Sequence, residues 1–369
     1  MTRIQASAPG KLVLLGDYAV LDGAPALVVA MNRRARVILD SADGAGVEVA
    51  APDLGITSAS ASVDAAGKLE WNTVADAARL GLVTQVWNAL AGIGLAPRGG
   101  LDFTLDTSGF FAATPTGRRK LGLGSSAALT VALAAALVRA SGQGFAPTPA
   151  WLARLVAWHG AWQGGRGSGV DIAASLAGGA LTYRRGMPGA APASSSASWP
   201  PAGAQCLFVW SQEAVSTAGQ LAHLAAWRQT HAADYAARMG ELCQLAGSAP
   251  TALHGDAAGF VALVAAYAAA LSRLERASGL AIFSPAQREL AALAAHAGAA
   301  FKPCGAGGDF GVVVADGAPQ LERVRRAMMA AGLHAEGLAV DPQGVQCDVS
   351  FMHSGSPSHG AAGQGGDFP

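Results

Sequence analysis

The sequence has little charge, and the charge it has is balanced. Only 14% of the 369 residues are charged, and 25 basic side chains are matched by 25 acidic ones, so the formal net charge is zero. Proteins that hold nucleic acid through its phosphates carry a basic excess, so nucleic acid is not an expected partner. Aromatic residues are scarce too, at 6%, yet 51% of the residues are apolar and supply enough material for two cores.

Paired cysteines and long apolar segments are also missing. The four cysteines lie far apart without CxxC spacing, which is typical of reduced thiols in a cytosolic protein. Residues 1–7 contain no apolar stretch of the kind that signal peptides have. The most apolar helix-like run, 129–138, has about half the length that a bilayer span requires. These absences predict a soluble, cytoplasmic protein without a membrane segment.

The length of the chain favours two domains. We predict one domain over residues 1–200 and another over 205–353. The segment 186–205, rich in Pro, Ala and Ser, is expected to be a surface loop or poorly ordered linker near the boundary. Residues 354–369, rich in Gly and Ser, are expected to form a disordered tail.

Hydrophobic patterns predict helices and strands in both halves, so the fold class is mixed α/β. A Thr-Pro pair at 148–149 indicates a helix start. The predicted strands cover 12–15, 26–30, 35–39, 206–210, 311–315, 338–340 and 345–351. The predicted helices cover 75–91, 127–140, 149–163, 216–246, 257–278, 284–296 and 319–331.

The most informative stretch is Gly122-Leu123-Gly124-Ser125-Ser126-Ala127, which follows Arg118-Arg119-Lys120 and leads into an apolar helix. Glycines let the backbone approach a ligand, and a helix start offers unpaired N–H groups and a positive dipole end. The pattern therefore predicts a phosphate-binding turn. A capped helix start without a ligand is the alternative at this point.

Two further segments carry glycines beside charged residues. The first is Pro9-Gly10-Lys11-Leu12-Val13-Leu14-Leu15-Gly16-Asp17-Tyr18, and the second is Lys302-Pro303-Cys304-Gly305-Ala306-Gly307-Gly308-Asp309. Together with the central turn they resemble the ordered signature of the GHMP kinases. The resemblance spans most of the chain. It implies a two-domain GHMP kinase fold, with an N-terminal ribosomal-protein-like domain, a C-terminal ferredoxin-like domain and the site in the cleft.

The resemblance also implies a reaction and its reactants. Such a protein is an ATP-dependent phosphotransferase whose partner is a small-molecule substrate, and it acts as a monomer or homodimer. Phosphoryl transfer requires neutralised charge and in-line positioning more than covalent chemistry. By resemblance Lys11 lies beside the acceptor and the transferred phosphoryl group. A solvated lysine before a strand is the alternative for Lys11.

The segment from His159 to Asp171 resembles a stretch of the phosphomevalonate kinase branch, and its aspartate corresponds to Asp171. A carboxylate there accepts or orients the proton of the acceptor. A helix N-cap is the alternative for Asp171. Lys120, two residues before Gly122, favours the same branch and can pair with triphosphate oxygens.

Other site residues are implied by the same resemblance. The nucleotide is expected at Lys120 and at Gly122, Leu123, Gly124, Ser125, Ser126 and Ala127. The substrate is expected at Lys11, Ser168, Gly169, Ser216, Thr217, Gly305, Ala306, Gly307, Gly308 and Asp309. Helix capping is the alternative for Ser216 and Thr217, and a plain hairpin or loop is the alternative for the glycines near 305.

Mg²⁺ is the expected metal, with Ser126 as its candidate protein ligand. Mevalonate kinases carry a metal-binding glutamate eleven residues before the aspartate, and that position is Gly160 here. The glycine segment near 305 is also one glycine shorter than in many phosphomevalonate kinases. The predicted reaction converts phosphomevalonate and ATP to diphosphomevalonate and ADP. The alternatives are mevalonate kinase or another GHMP metabolite kinase, and a homologue that binds a nucleotide or metabolite without catalysis.

Overall fold

Strands and helices alternate along most of the chain. The computed structural model describes residues 2–115, 117–165, 167–187, 190–213, 215–331, 333 and 337–351. The strands are β1 (Thr2–Leu15), β2 (Ala26–Ala42), β3 (Val47–Ala51), β4 (Ile56–Val63), β5 (Leu69–Trp71), β6 (Gly100–Asp106), β7 (Phe111–Thr114), β8 (Gly117–Lys120), β9 (Ala180–Arg184), β10 (Ala193–Ala197), β11 (Ala204–Trp210), β12 (Ala300–Pro303), β13 (Phe310–Asp316) and β14 (Gln346–Phe351). The helices are α1 (Val74–Arg79), α2 (Gly81–Ala91), α3 (Ser125–Ala140), α4 (Pro149–Trp162), α5 (Val170–Ala177), α6 (Thr217–Thr230), α7 (Ala232–Ala252), α8 (Ala257–Ser278), α9 (Pro285–His296) and α10 (Ala318–Ala330).

A large sheet dominates the first region. Among the described residues its order is β10-β9-β2-β6-β3-β4-β5, with β1 paired to β2 and β14 paired to β1. The long β1–β2 pair is antiparallel, with Lys11 opposite Ala30, and its register shifts between Pro9 and Gly10. Proline cannot donate a ladder hydrogen bond, so an irregularity is expected there. The shift lies next to Lys11, in the part of β1 that forms the site.

Helix α3 is the central helix of this region. Twelve of its residues are buried, and most of them are Ala, Val or Leu. Small side chains allow close packing against β1 and β2, and an all-round apolar surface is typical of a helix buried on every side. The helix therefore has a rigid N-terminus fixed against the sheet.

The second region is a three-stranded antiparallel sheet, β11-β13-β12. Helices α8, α9 and α10 pack against this sheet, α7 packs on α8, and α6 packs on α7. Within the described residues one helix, α8, is long and apolar enough to span a membrane by composition alone. Its side chains Phe260, Val264 and Tyr267 are buried in the core. Core helices commonly have such a composition, so it is weak evidence for a membrane segment.

The predicted mixed α/β class is confirmed, and several element boundaries need correction. The segment 186–205 contains strand β10, which pairs with β9 in the large sheet. The predicted helix 75–91 is two helices, α1 and α2, and the predicted helix 216–246 is divided at His231 into α6 and α7. The predicted strand 338–340 is reduced to a bridge between Val340 and Met31. The start of α4 is confirmed, with the Thr148 side chain accepting from the Trp151 N–H.

The predicted domain limits stay predictions. Strand β14, inside the predicted second domain, pairs with β1 in the large sheet. The predicted tail, 354–369, lies outside the described residues.

Candidate active site

The phosphate seat, which we define as residues 122–126, leads directly into α3. Gly124 has a φ of +78° and is the N-cap of the helix, without a side-chain cap. The Ala128 N–H donates to the Gly124 carbonyl, so the amides of the preceding residues have no helical acceptor. These amides lie at the positive end of a 16-residue helix, an arrangement suited to phosphate oxygens.

Strand β1 holds Lys11 against the seat. The Lys11 N–H donates to the Leu123 carbonyl at 2.8 Å. A Cβ added at Gly124 would lie 3.5 Å from both Cγ and Cε of Lys11, and one added at Gly305 would lie 3.8 Å from Nζ. The ammonium group of Lys11 therefore lies between the phosphate seat and the second region.

Asp171 approaches the same point from the first turn of α5. The helix begins after Gly169, whose φ is +80°, and the Asp171 carboxylate accepts from the Ile172 N–H at 3.0 Å. A Cβ added at Gly124 would lie 3.6 Å from the Asp171 Cβ. The structure thus brings Lys11, Asp171 and the seat together from three distant segments.

A cavity of about 310 Å³ opens beside Lys11 and Asp171. Its other polar side chains include Gln163, Ser168 and Thr217. Most of its wall is apolar, which is usual for small-molecule sites with a few orienting polar groups. The apolar lining comprises Val13, Val20, Leu21, Val170, Ala218, Leu221 and Ala306.

A buried ion pair underlies this cavity. Asp17 and Lys302 have fully buried side chains, and Oδ2 of Asp17 lies 2.6 Å from Nζ of Lys302. Neither atom has a well-aligned hydrogen bond, so the contact is electrostatic. Burial raises the pKa of Asp17, and the Lys302 charge and the Gly305 N–H oppose that rise. The pair joins the turn after β1 to β12, and the sequence analysis did not predict it.

The closing loop, which we define as residues 305–309, is held by its backbone groups. The Gly305 N–H donates to the Asp17 carboxylate, and the Tyr18 hydroxyl donates to the Ala306 carbonyl at 2.7 Å. The Gly308 N–H donates to the Ile282 carbonyl at 3.0 Å. Tyr18 itself has a φ of +59°, which is uncommon for a residue other than glycine. The loop is therefore a fixed wall of the cavity.

Asp309 links the closing loop to the phosphate seat. Its carboxylate accepts from the Gly122 N–H and from Nε1 of Trp210. Burial raises the pKa of Asp309, and these two donors and the charges of Lys11 and Arg119 oppose the rise. The side chain is absent from the cavity lining, so the structure gives it a contact with the seat instead.

Two of the three basic residues before the seat have protein partners. Arg118 lies 3.0 Å from the Asp53 carboxylate and over the Phe111 ring. Arg119 donates to the Gln212 carbonyl at 2.6 Å. Lys120, at the exposed end of β8, has no such partner among the described residues and does not line the cavity. Among the described residues, Lys120 is therefore the one of the three whose side chain has no hydrogen bond or ion pair within the protein.

His159 contacts the seat from α4. It is 2% exposed, and its Nε2 lies 3.2 Å from the Ser126 hydroxyl. Burial lowers the pKa of His159, while the charge of Asp171 acts in the opposite direction. Its ring stacks on Trp162 with centroids 5.7 Å apart. The contact joins α4 to the first turn of α3.

The remaining predicted residues fall into four groups. Ser168, Thr217, Gly305 and Ala306 line the cavity, as does Lys11. Ser216 caps α6 by accepting from the Gly219 N–H at 3.2 Å. This is the helix-capping alternative to substrate binding that the sequence analysis gave for it. In the seat, Ser125 and Ala127 are buried. Gly169, Gly307 and Gly308 shape the backbone without lining the cavity.

The described residues contain no cluster of three or more His, Cys, Asp or Glu side chains that could hold a metal ion. Mg²⁺ commonly keeps several waters and binds through substrate phosphates with one or two protein oxygens. The Ser126 hydroxyl and the Asp171 carboxylate beside the seat fit that mode. They do not fit a metal held by the protein alone.

Comparison with known protein sequences finds relatives that are described as kinases. The family model described as "GHMP kinases N terminal domain" matches residues 82–179. The chain is 31% identical over 359 residues to the phosphomevalonate kinase of a Streptomyces species, covering 88% of this chain and 94% of that protein. It is 34% identical over 183 residues to a mevalonate kinase of Aeropyrum pernix, covering 49% of this chain and 51% of that one.

Solved structures share the fold. The Lin0012 protein of Listeria innocua matches with a TM-score of 0.79 and 22% identity, covering 94% of this chain and 99% of that one. The phosphomevalonate kinase of Streptococcus pneumoniae, in complex with phosphomevalonate and AMPPNP, matches with a TM-score of 0.70 and 18% identity, covering 91% and 99%. At these identities the structural likeness extends to the fold alone.

Proposed function

The chain belongs to the GHMP kinase family and is a phosphotransferase, and on that premise we propose that it transfers the γ-phosphoryl group of ATP to phosphomevalonate. The products are diphosphomevalonate and ADP. The observation that carries the proposal is the convergence of Lys11 and Asp171 on the phosphate seat at the edge of a cavity.

ATP binds with its phosphates over the N-terminus of α3. The unpaired N–H groups at the start of α3 donate to phosphate oxygens, and Lys120 supplies a further positive charge from β8. The Lys11 ammonium lies where the transferred group meets the cavity, so it neutralises charge in the transition state. The backbones of α3 and of β1 around Lys11 are buried, so the helix amides and the base of the Lys11 side chain are in place before the substrate arrives.

The chemistry needs one bond formed and one broken. An oxygen of the acceptor phosphate attacks the γ-phosphorus, and the bond to the oxygen that bridges the β and γ phosphates breaks. A phosphate monoester is mostly dianionic at neutral pH, because its second pKa is about 6, so it needs no strong base. Asp171 then orients Lys11 and the acceptor and need not remove a proton.

The cavity suits a small branched acid with an anionic end. Its apolar wall accepts the carbon skeleton, while Ser168, Gln163 and the start of α6 at Thr217 offer polar contacts. The match to the phosphomevalonate kinase of the Streptomyces species covers nearly the whole chain, whereas the match to the mevalonate kinase of Aeropyrum pernix covers about half. Both facts favour phosphomevalonate as the acceptor.

Mg²⁺, bound with the nucleotide, would neutralise phosphate charge beside Ser126. A cytosolic location and a monomeric or homodimeric state remain predictions.

The proposal is tested by measuring ADP release from ATP and Mg²⁺ with mevalonate, phosphomevalonate, galactose or homoserine as acceptor. We expect release that depends on phosphomevalonate. Equal or faster release with mevalonate would favour a mevalonate kinase, which the missing metal-binding glutamate makes the weaker candidate. Nucleotide binding without ADP release from any acceptor would indicate the non-catalytic alternative.

Two substitutions test the separate roles proposed for Lys11 and Asp171. Lys11→Ala removes charge from the transition state, and we expect kcat to fall about a hundredfold to a thousandfold. Asp171→Asn should cost less, about tenfold, because the acceptor is already ionised, whereas a true general base contributes about a hundredfold or more. Lys68→Ala, at an exposed position outside the lining, is the matched control. A deeper loss in the aspartate variant would contradict the assignment of a phosphate acceptor.

A further inference from the structure

His159, like Asp309, is a buried polar side chain that contacts the phosphate seat without lining the cavity. His159 is 2% exposed, and its Nε2 lies 3.2 Å from Oγ of Ser126. Ser126 belongs to the first turn of α3, while His159 belongs to the last turn of α4. The imidazole therefore contacts a hydroxyl at the point where the helix amides are free.

We propose that His159 is a positioning residue of the nucleotide site, whose ring fixes the Ser126 hydroxyl in the orientation that receives the phosphates of ATP. The inference rests on the proposed function, since it takes residues 122–126 as the site of the phosphates. His159 acts by orienting Ser126 and does not itself contact the substrate.

A serine hydroxyl without a hydrogen-bond partner can rotate among several orientations. A serine side chain has three staggered rotamers, and an unpartnered hydroxyl must lose that freedom when a ligand binds. A fixed hydrogen-bond partner selects one rotamer during folding, so less ordering remains to be done at binding. Burial of His159 supplies such a fixed partner.

The ring of His159 is itself fixed. It stacks on Trp162 with an interplanar angle of 27° and centroids 5.7 Å apart, and both residues lie on the rigid end of α4. On the other side, Ser126 is anchored by its backbone, since the Thr130 hydroxyl donates to the Ser126 carbonyl at 2.8 Å. Between these anchors, the contact with Nε2 of His159 restrains the rotation of the serine side chain.

The test is a double-mutant cycle on ATP and ADP affinity, measured by isothermal titration calorimetry with the full chain. The variants are Ser126→Ala, His159→Phe and the double variant. Phenylalanine keeps a ring that can stack on Trp162 and removes the ring nitrogens. We expect each single variant to weaken ATP binding about threefold to tenfold, the value of one net hydrogen bond. The double variant should bind as weakly as Ser126→Ala alone.

Two further readouts separate positioning from packing. His159→Gln retains a hydrogen-bonding group of similar reach and should bind ATP more tightly than His159→Phe. In steady-state kinetics, His159→Phe should raise KM for ATP and leave KM for the acceptor unchanged. His223→Phe is the matched control. It removes the hydrogen bond between Nε2 of His223 and the Ser278 carbonyl, 2.7 Å apart, and should leave ATP affinity unchanged.

The outcomes distinguish this inference from the proposed function. If His159→Phe weakens ATP binding as much in the Ser126→Ala background as alone, the two effects are independent and the positioning role is overturned. If Ser126→Ala binds ATP like the wild type, the hydroxyl does not hold the phosphates and the role of His159 fails, while ADP release with phosphomevalonate still decides the proposed function. If phosphomevalonate-dependent ADP release is present while His159→Phe changes nothing, only the role of His159 fails.

Discussion

The phosphate seat and the closing loop are both rich in glycine and both lie beside Lys11, yet their backbone groups do different things. In the seat, the amides at the start of α3 have no helical acceptor. In the closing loop, the Gly305 and Gly308 amides and the Ala306 carbonyl all have protein partners. The seat is thus open to a ligand, whereas the closing loop forms a wall.

This difference shows what glycine content does and does not indicate. Glycine allows positive φ and close approach, and both loops use it for that. Whether the amides then bind a ligand depends on the acceptors that the rest of the chain brings to them. In the closing loop the Asp17 carboxylate, whose counter-charge is Lys302, accepts from the Gly305 N–H, and the Ile282 carbonyl accepts from the Gly308 N–H. A variant of Asp17 or Lys302 should therefore affect the wall more than the seat.

The largest effect is expected for Lys302→Met. The substitution leaves the buried Asp17 carboxylate without its counter-charge, and breaking a buried pair in this way typically costs about 3–5 kcal/mol of unfolding free energy. Chemical denaturation monitored by fluorescence would measure the loss. The double variant with Asp17→Asn should recover part of it, because no buried charge then remains.

Arg3→Met is the control for this prediction. It breaks the ion pair between Arg3 and Asp40, whose side chains are 36% and 21% exposed, so solvent compensates the aspartate and the loss should be far smaller. Equal losses for Lys302→Met and Arg3→Met would contradict the role given to the buried pair.

A second prediction compares glycines at positive φ. Gly307 has a φ of +105°, and a Cβ there would lie 2.5 Å from the Ile282 carbonyl oxygen. Gly142 has a φ of +83° with nothing within 4 Å of an added Cβ. Gly142→Ala should therefore cost only the conformational penalty, roughly 1–2 kcal/mol, and Gly307→Ala should cost more because backbone must also move. Equal unfolding free energies for the two variants would show that the loop is not tightly held.

Adding Gly124→Ala sharpens the contrast between the two regions. Its φ is +78°, and its nearest contacts would lie at 3.5 Å, so its stability loss should resemble that of Gly142→Ala. We expect it, unlike Gly307→Ala, to weaken ATP binding at the seat.

Much of the seat could be predicted from the sequence because its signals are local. Glycines, serines and an apolar helix follow one another within a few residues, and the helix start was predicted within two residues of α3. The convergence of Lys11 and Asp171 came only from the family resemblance, since no local pattern relates residues so far apart.

The parts that could not be predicted depend on tertiary contacts. Asp17 and Lys302 look like ordinary surface residues in the sequence, and only the approach of the turn after β1 to β12 makes them a buried pair. Strands β3 to β6 are short and mix apolar with small polar residues, so their pattern is weak until the sheet pairs them. Ser216 could be assigned as a cap or a ligand from sequence alone, and the structure gives it the cap.

The smallest effect is expected for Asp309→Asn, which alters the hydrogen bond between the Gly122 N–H and the Asp309 carboxylate that joins the two loops. In the variant, one of the two N–H groups of Gly122 and Trp210 still meets an oxygen, whereas the other faces the NH₂ group of the amide and loses its acceptor. The unfolding free energy should therefore fall by about 0.5–1.5 kcal/mol near pH 4. The pH dependence is the sharper readout. Burial raises the pKa of Asp309 above 3.8, so the folded protein takes up this proton more readily than the unfolded chain.

The contribution of Asp309 to stability is therefore complete at pH values below its unfolded pKa and is lost as pH rises through its folded pKa. The amide does not titrate, so the difference in unfolding free energy, wild type minus variant, should decrease from about pH 4 towards pH 7. Asp43→Asn, at an exposed position, should show no such trend. A difference for Asp309→Asn that stays constant with pH would mean that solvent reaches the carboxylate, and that the closing loop is as open as the seat.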